Sequence, residues 1–284
     1  MRNIGCTFIP VNFEDKVKID EMLPIEIGLM GGSGNYDPAI VKDPMEVKVF
    51  TPYGRVSDNI ILGTIGDRKI AFLARHDRGH QIPPHLINYR ANIWAMKSLG
   101  VTRILSPSAC GALQEDIDVG TFVVIDQLFD RTFGQRKDTF FEGSVVGHMA
   151  FAKPFCPELR SVLIETAKEL NLKHLEKGTY VCINGPRFST AAESLFYRGQ
   201  GWHVIGMTCY PECILAREAE ICFTNVSMVT DKDIYGDEPV TIEEVLNVMT
   251  KNVENVRNLI FKTLSKIPKQ RKCDCGHSLD TGIF

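Results

Sequence analysis

No uninterrupted apolar run among the 284 residues approaches the roughly 18 that a membrane span needs. The opening stretch, MRNIGCTFIPVNFEDKVKID, carries acidic side chains early and lacks a continuous apolar segment, so it reads as neither a signal peptide nor a transit peptide. An excess of one charge is missing too. Lys and Arg number 32 against 35 Asp and Glu, a formal charge of -3, which gathers neither nucleic acid nor an acidic membrane. Internal repeats are absent, as is any linker long enough to divide the chain. Nor do the nine cysteines show a regular spacing. Cys110, Cys182, Cys209 and Cys222 sit in apolar or Gly-flanked segments, which favours buried thiols over a secreted disulfide framework. These absences predict a soluble, cytoplasmic protein with no nucleic-acid or membrane partner.

What is present is apolar material for a sizeable core, 44% of the residues. Strand-length apolar runs bounded by Gly, Pro or Asp recur at Ile25 to Met30, Val47 to Thr51, Asn59 to Ile65, Lys69 to Ala74, Val101 to Ser106, Thr121 to Ile125, Thr179 to Ile183, Val204 to Thr208 and Ile221 to Val229. Helical spacing separates several of them: Ile87, Ala91 and Trp94, then Glu158 to Asn171, then Glu212 to Glu220. Strands alternating with helices predict an α/β fold, a single domain around a mixed, largely parallel twisted sheet flanked by helices. Its expected extent is 25–267, with an N-terminal extension over 1–24 and a tail over 268–284. The longest periodic stretch, Thr241 to Ile267, places Val245, Met249, Val253, Val256, Ile260 and Leu264 on one stripe, a closing helix opened by Thr241 and Glu244 at capping-box spacing. The segment Leu128 to Ala152 lacks periodicity, and a loop that long serves a site or an interface.

Several strand exits carry chemistry. Gly31-Gly32-Ser33-Gly34 follows the first run; its backbone N–H groups and the Ser33 hydroxyl can approach an anion, although the motif is neither a Walker loop nor G-x-G-x-x-G and alone also fits a tight strand exit. Arg75-His76-Asp77-Arg78-Gly79-His80 ends the fourth run at the sheet edge where ligands of open α/β sheets bind. Phosphate is its natural guest, with Arg75 able to donate two parallel hydrogen bonds. Ser106-Pro107-Ser108-Ala109-Cys110-Gly111 follows the fifth run as a small-residue turn, where the Ser108 hydroxyl is the better anion ligand and Cys110 reads as packing. Phe188 in Asn184-Gly185-Pro186-Arg187-Phe188-Ser189 can stack on an aromatic ligand, and Met207 can meet an apolar ligand face; both also fit plain core packing.

Thr230-Asp231-Lys232-Asp233 is the most informative element. Carboxylates at i and i+2 on extended chain project to one side, so Asp231 and Asp233 share a pocket and their like charges push at least one pKa upward. Such a carboxyl can share a proton with a basic leaving group. The adjacent Lys232 and the lack of further carboxylates weigh against a Ca²⁺ or Mg²⁺ site. In the tail, Cys273 and Cys275 bind metal with His277, form a disulfide, or lie free; two thiols and one imidazole are an incomplete zinc set, so a metal is the least favoured of the three and none is assigned.

GGSG, TPYGRVSD, ARHDRGH, IPPH, NYRANIWAMKSLG, ACGAL, DQLFDRT, PFCP, GPRFST, GMTCYPE and TDKD occur in collinear order from about Ile27 through Ile267. Together they resemble the purine nucleoside phosphorylase superfamily, in its trimeric branch, and the Cys273-Asp274-Cys275 tail is similar to an ending seen in some prokaryotic members. The resemblance implies reversible phosphorolysis of S-methyl-5'-thioadenosine to adenine and 5-methylthioribose 1-phosphate. No metal or organic cofactor is implied, since phosphate is itself the second substrate. Ser33, Arg75, His76, Ser108, Ala109 and Thr208 fall at the family's phosphate-binding positions, with Thr230 near that anion. Met207 matches the residue packed on the ribose and Phe188 the ring beside the purine. Asp231 corresponds to the purine N7 partner, with Asp233 alongside; relatives acting on 6-oxopurines generally carry Asn at this position, so the aspartate points to adenine. Ser189 and Ile242 fall where specificity is tuned. His80 and Ile242 are expected near the sugar's 5' end, and His148 matches a residue that a neighbouring subunit contributes there, which implies a homotrimer or a hexamer built as a dimer of trimers.

The sequence departs from the family pattern at Ala191, where Arg is frequent, at Asp77 for Gly, at Lys232 for an aromatic, and at Tyr210 for a small apolar residue. These bear on substrate breadth and 5' selectivity rather than on the reaction. A broader phosphorylase acting on adenosine, inosine or methylthioinosine, and a catalytically inactive nucleoside-binding protein, are the competing readings. Phosphate-dependent base release separates all three.

Overall fold

The computed structural model describes residues 8–10, 16–32, 41–143, 145–233, 241–280 and 282–283. The described strands are β1 (Phe8–Pro10), β2 (Ile27–Gly31), β3 (Lys42–Val49), β4 (Ile60–Ile65), β5 (Arg68–Ala74), β6 (Arg103–Ala112), β7 (Phe122–Val124), β8 (Gln127–Arg131), β9 (His174–Leu175), β10 (Thr179–Ile183), β11 (Val204–Gly206) and β12 (Cys222–Lys232). The nine apolar runs mark all but β1, β8 and β9, and β8 makes a strand of the start of the segment read as a loop from Leu128. The helices are α1 (Lys16–Met22), α2 (Tyr89–Ser98), α3 (Pro157–Glu169), α4 (Ala191–Gly199), α5 (Cys209–Glu218) and α6 (Ile242–Lys266). One mixed sheet runs in the order β1-β3-β4-β5-β2-β6-β11-β10-β8, with β12 on β6 and β7, and β9 on β7. Parallel pairs (β5 with β2, β2 with β6, β6 with β12) form its centre, and antiparallel pairs such as β3 with β4 lie toward one edge.

Strand alternation sorts side chains between two faces. On β6, Ile104, Cys110 and Ala112 join a core cluster with Ala91, Ile93 and Met96 of α2 and Leu215 of α5, whereas Leu105 joins a second cluster with Leu159 and Leu163 of α3 and Ile260 and Leu264 of α6. Helices therefore cover both faces. Of the predicted stripe on α6, Met249, Val256, Ile260 and Leu264 are core residues, each stabilising by about 1.5–3 kcal/mol, whereas Val245 and Val253 are only partly buried and Leu259, outside the stripe, joins the core. The first turn of α6 behaves differently, leaving Ile242 and Leu246 exposed.

Two expectations need correction. The segment from Ser106 to Gly111 is not a turn after a strand: β6 continues through it to Ala112, paired along its length with β12. On its other edge β6 pairs with β2 over Arg103 to Leu105 and with β11 over Gly111 and Ala112. Among the described residues, 106–110 have no strand partner on that side, and Pro107, with no N–H to donate, falls in this gap. Similarly, β12 runs past Val229 to Lys232, with a register shift between Val229 and Asp231. That bulge sets Asp231 opposite Gly111.

Candidate active site

A cavity of about 670 Å³ opens along the unpaired stretch of β6. Arg75, His76, His80, Ser108, Ala109, Phe188, Ser189, Met207, Thr208, Thr230, Asp231, Asp233 and Ile242, all singled out from sequence, line it together. Ser33 lies outside the described residues, though its neighbour Gly32 is in the wall. His148 is exposed and is not part of the lining of its own chain's cavity. A second cleft of about 820 Å³, bordered by Gln114, Asp116, Arg160 and Glu176 among others, gathers none of the expected side chains.

At the cationic end, Arg75 follows β5 and is 1% exposed. The two parallel hydrogen bonds expected for phosphate go instead to Glu212 in the first turn of α5, at 2.8 Å from Nε and 3.2 Å from Nη2. Nη2 also donates to the Met30 carbonyl (2.7 Å) and to Ser106 Oγ (2.6 Å), and Ser106 donates on to Glu212 Oε2 at 2.8 Å. The Arg75 fork is therefore held internally. Nη1, with long contacts of 3.3 Å to the Pro107 carbonyl and 3.5 Å to Thr208 Oγ1, is the corner left for an anion. Burial pushes the Glu212 carboxyl up, while the Arg75 charge and the Ser106 hydroxyl oppose it.

Burial, with Arg75 beside it, holds the His76 imidazole down to about 3. Its Nδ1 lies 2.8 Å from the Ile82 carbonyl. A carbonyl only accepts, so this network assigns the proton to Nδ1 and leaves the Nε2 lone pair toward Gly32 in the cavity wall. An unfolded imidazole protonates near 6.5 and the folded one near 3, so the unfolded chain binds more protons between those values. Stability is consequently lost as pH falls through that window, by about 2–3 kcal/mol at pH 4.5. His76→Asn is expected to shrink the drop in denaturation midpoint between pH 7 and 4.5; an identical drop in the variant excludes this origin.

At the acidic end, Gly111 lets β6 pass close beneath both carboxylates. A Cβ there would sit 2.7 Å from Asp231 Oδ2 and 3.3 Å from Asp233 Cβ. Asp231 is 5% exposed, and the Thr230 hydroxyl lies 2.7 Å from its Oδ1. Asp233 accepts from Ser189 Oγ at 3.2 Å and from Ser194. Its pKa is raised, but burial is the main cause, opposed by the two serines, so the expected repulsion from Asp231 is not what moves it. Burial also pushes the Cys110 thiol up, in line with packing rather than nucleophilic chemistry.

Sequence reasoning missed the residues that hold these groups. Glu212 is wholly buried under Arg75. Arg136, from the aperiodic segment, donates to the carbonyls of Asn184 and Met207 (2.8 Å each) and Tyr210, tying together the two loops that carry Phe188 and Met207. Asn225 donates to Ser108 Oγ at 3.0 Å. Ser194 was findable: Thr190 and Glu193 form a capping box whose T-x-x-E spacing marks the start of α4. Of the four departures, Ala191, Asp77, Lys232 and Tyr210, none lines the cavity. Asp77 sits at φ +67°, a conformation that suits Gly and that Asp tolerates.

The tail cysteines are not an isolated pair. Cys273 and Cys275 lie with Cys156 and Cys222 in a group whose sulfurs are all within 4.8 Å of one another, whereas His277 pairs with Asp280 at 2.9 Å. The donor set counted from the tail alone is thus corrected to four thiols without the imidazole.

The profile of the Phosphorylase superfamily matches residues 26–265. S-methyl-5'-thioadenosine phosphorylase of Thermofilum pendens is 50% identical over 263 residues, covering 93% of this chain and 100% of the relative. A methylthioadenosine phosphorylase structure sourced from an Antarctic soil metagenomic library superposes with a TM-score of 0.86 at 39% identity, covering 92% of each chain. Methylthioadenosine phosphorylase from Schistosoma mansoni, solved in complex with adenine, superposes with a TM-score of 0.82 at 37% identity over 87% of this chain and 93% of that one. The family profile spans most of the chain and the relative from Thermofilum pendens is covered end to end, and the chain belongs to the phosphorylase superfamily.

Proposed function

We propose that the chain catalyses reversible phosphorolysis of S-methyl-5'-thioadenosine to adenine and 5-methylthioribose 1-phosphate. One observation carries this reading: Arg75, His76, Ser108 and Thr208 share a cavity with Asp231 and Asp233, whose rim is apolar. β6 sets their spacing. Ser106 touches Arg75 and Gly111 passes under Asp231, five residues or roughly 16 Å further along the strand. Phosphate is held by the Arg75 Nη1 corner, His76, the Ser108 and Thr208 hydroxyls and the Ala109 backbone, with Ser33 joining them. Phe188 and Met207 pack on base and ribose, and Asp231 and Asp233 face the purine's N7 and 6-amino edge. Ser189 and Ile242 tune substrate choice.

The glycosidic bond stretches toward an oxocarbenium-like sugar and its electron pair moves to adenine, which gains a proton shared with Asp231 at N7. A phosphate oxygen forms the new bond to C1' from the opposite face. Monohydrogen phosphate closes the proton balance, because its proton ends on adenine; neutral His76 offers Nε2 as acceptor for that P–OH. The protein supplies orientation and charge stabilisation, with no covalent intermediate.

The 5' end faces an apolar wall of Val245, Leu246 and Ile242 beside His80. His148 is assigned to a neighbour's site in a homotrimer or a dimer of trimers, a reading supported by its exposure outside its own cavity and by exposed Phe129, Phe133, Val145, Val146 and Phe196. Light scattering returning a single chain would refute that part. The catalytic unit is taken as 25–267, with an N-terminal extension over 1–24 and a tail over 268–284. No described helix is long and apolar enough to cross a membrane, and the eight described cysteines are free, which supports a reducing, cytoplasmic setting. The deciding assay measures phosphate-dependent base release from methylthioadenosine, adenosine and inosine. Preference for methylthioadenosine is expected; equal turnover of inosine favours the broader enzyme, and binding without base release favours an inactive binder.

A further inference from the structure

The four-thiol group lies outside the cavity, and none of its cysteines belongs to the cavity lining. Three separate segments deliver it. Cys156 immediately precedes α3, with its N–H on the Phe223 carbonyl at 2.8 Å. Cys222 opens β12, with its N–H on the Thr102 carbonyl at 2.9 Å. Cys273 and Cys275 flank the start of a short 3-10 turn, Asp274–His277, in the tail. Cys156 and Cys222 are 0% exposed and Cys275 is 3% exposed, with Cys273 partly buried, so three of the four sulfurs are shielded from water.

The sulfur geometry separates two chemistries. Cys273 Sγ stands 3.3 Å from Cys222 Sγ and 3.6 Å from Cys156 Sγ, so one sulfur has two near neighbours rather than a single pairing partner. A tetrahedral zinc thiolate with bonds of about 2.3 Å has sulfurs about 3.8 Å apart along every edge, whereas a disulfide joins two sulfurs at about 2.05 Å. We propose that Cys156, Cys222, Cys273 and Cys275 form a tetrathiolate zinc site that fastens the C-terminal tail to the sheet. Each thiol releases its proton to water as its sulfur binds, and Zn²⁺ with four thiolates leaves a net charge of -2 in the site. The tail brings Lys269, Arg271 and Lys272 immediately before Cys273, cations of the sign that charge requires. All four ligands come from the protein, so the site is closed and structural. The tail is already registered for this: Arg103 Nη2 donates to the Pro268 carbonyl at 2.8 Å, Arg271 Nη1 to the Glu220 carbonyl at 2.9 Å, and the Lys272 N–H to Glu158 Oε2 at 2.9 Å.

The test uses the full chain purified from zinc-supplemented growth without chelator. Elemental analysis is expected to find about one zinc per chain. Alkylation under denaturing, non-reducing conditions with chelator is expected to label all nine cysteines. Cys273→Ser with Cys275→Ser removes the zinc and lowers Tm by on the order of 10 °C, while Cys110→Ser, a buried cysteine outside the group, keeps the metal. Wild-type protein with less than a tenth of a zinc per chain overturns the site, whether alkylation shows disulfides as two or four missing thiols or shows every thiol free. Zinc retained at the wild-type level by the double variant overturns it too. The wild-type metal and thiol counts stand even if the double variant fails to fold.

Discussion

Asp231→Asn is expected to lower kcat/KM for phosphate-dependent adenine release from methylthioadenosine by about 10²- to 10⁴-fold, the range of a lost proton-transfer partner. The substitution keeps shape and hydrogen-bonding reach, and the Thr230 hydroxyl that lies 2.7 Å from Oδ1 can still meet an amide oxygen. What disappears is the ability to share a proton with N7 as the base departs. The loss therefore belongs mainly to kcat, since the interaction strengthens only as charge builds on the leaving group. Inosine turnover is expected to fall far less, because an amide can donate to the 6-oxo group as well as accept. A change below threefold for methylthioadenosine contradicts the role assigned to Asp231.

Glu212→Gln is expected to destabilise the fold by about 3–5 kcal/mol, the cost of leaving one member of a buried ion pair without its partner. Arg75 is 1% exposed and Glu212 is 0% exposed, so solvent cannot take over the neutralisation. At this chain length the corresponding fall in Tm is roughly 10 °C. Phosphate KM rises in parallel, because the Glu212 carboxylate fixes the Nε and Nη2 side of the guanidinium and so aims Nη1. A double variant, Arg75→Met with Glu212→Leu, is expected to regain most of the stability while remaining inactive with phosphate. Unfolding free energies for the single variant within about 0.5 kcal/mol of wild type, the range of an ordinary surface change, would contradict this account.

Most of the strands and helices were legible because apolar residues recur with period 2 or 3.6 between Gly, Pro and Asp; Thr179–Ile183 matches its strand end to end. The continuation of β6 was not legible. Ser, Pro, Ala and Gly from 106 to 111 carry the chemistry of a turn, yet partnership with β12 overrides local preference and small side chains leave the volume a ligand occupies. The cationic and acidic clusters were visible because charged side chains at the ends of buried runs lack a packing explanation. Their supports were not. Glu212 and Arg136 lie 137 and 48 or more residues from the groups they hold, and only folding reveals that one neutralises Arg75 and the other gathers loop carbonyls. The tail thiols were misjudged for the same reason, since their partners sit 117 and 51 residues away.

The first turn of α6 carries a consequence for the cell's nucleotide pool. In the proposed orientation Ile242, Val245 and Leu246 present hydrocarbon to the 5' substituent of the sugar, beside His80, whose pKa burial pushes down. A thioether loses little on leaving water for such a wall. A 5'-phosphate would surrender its hydration there and meet no compensating cation from this turn, so adenylates are turned away by solvation alone. On the proposed reading, charged adenylates are expected to be poor substrates beside an uncharged thioether nucleoside.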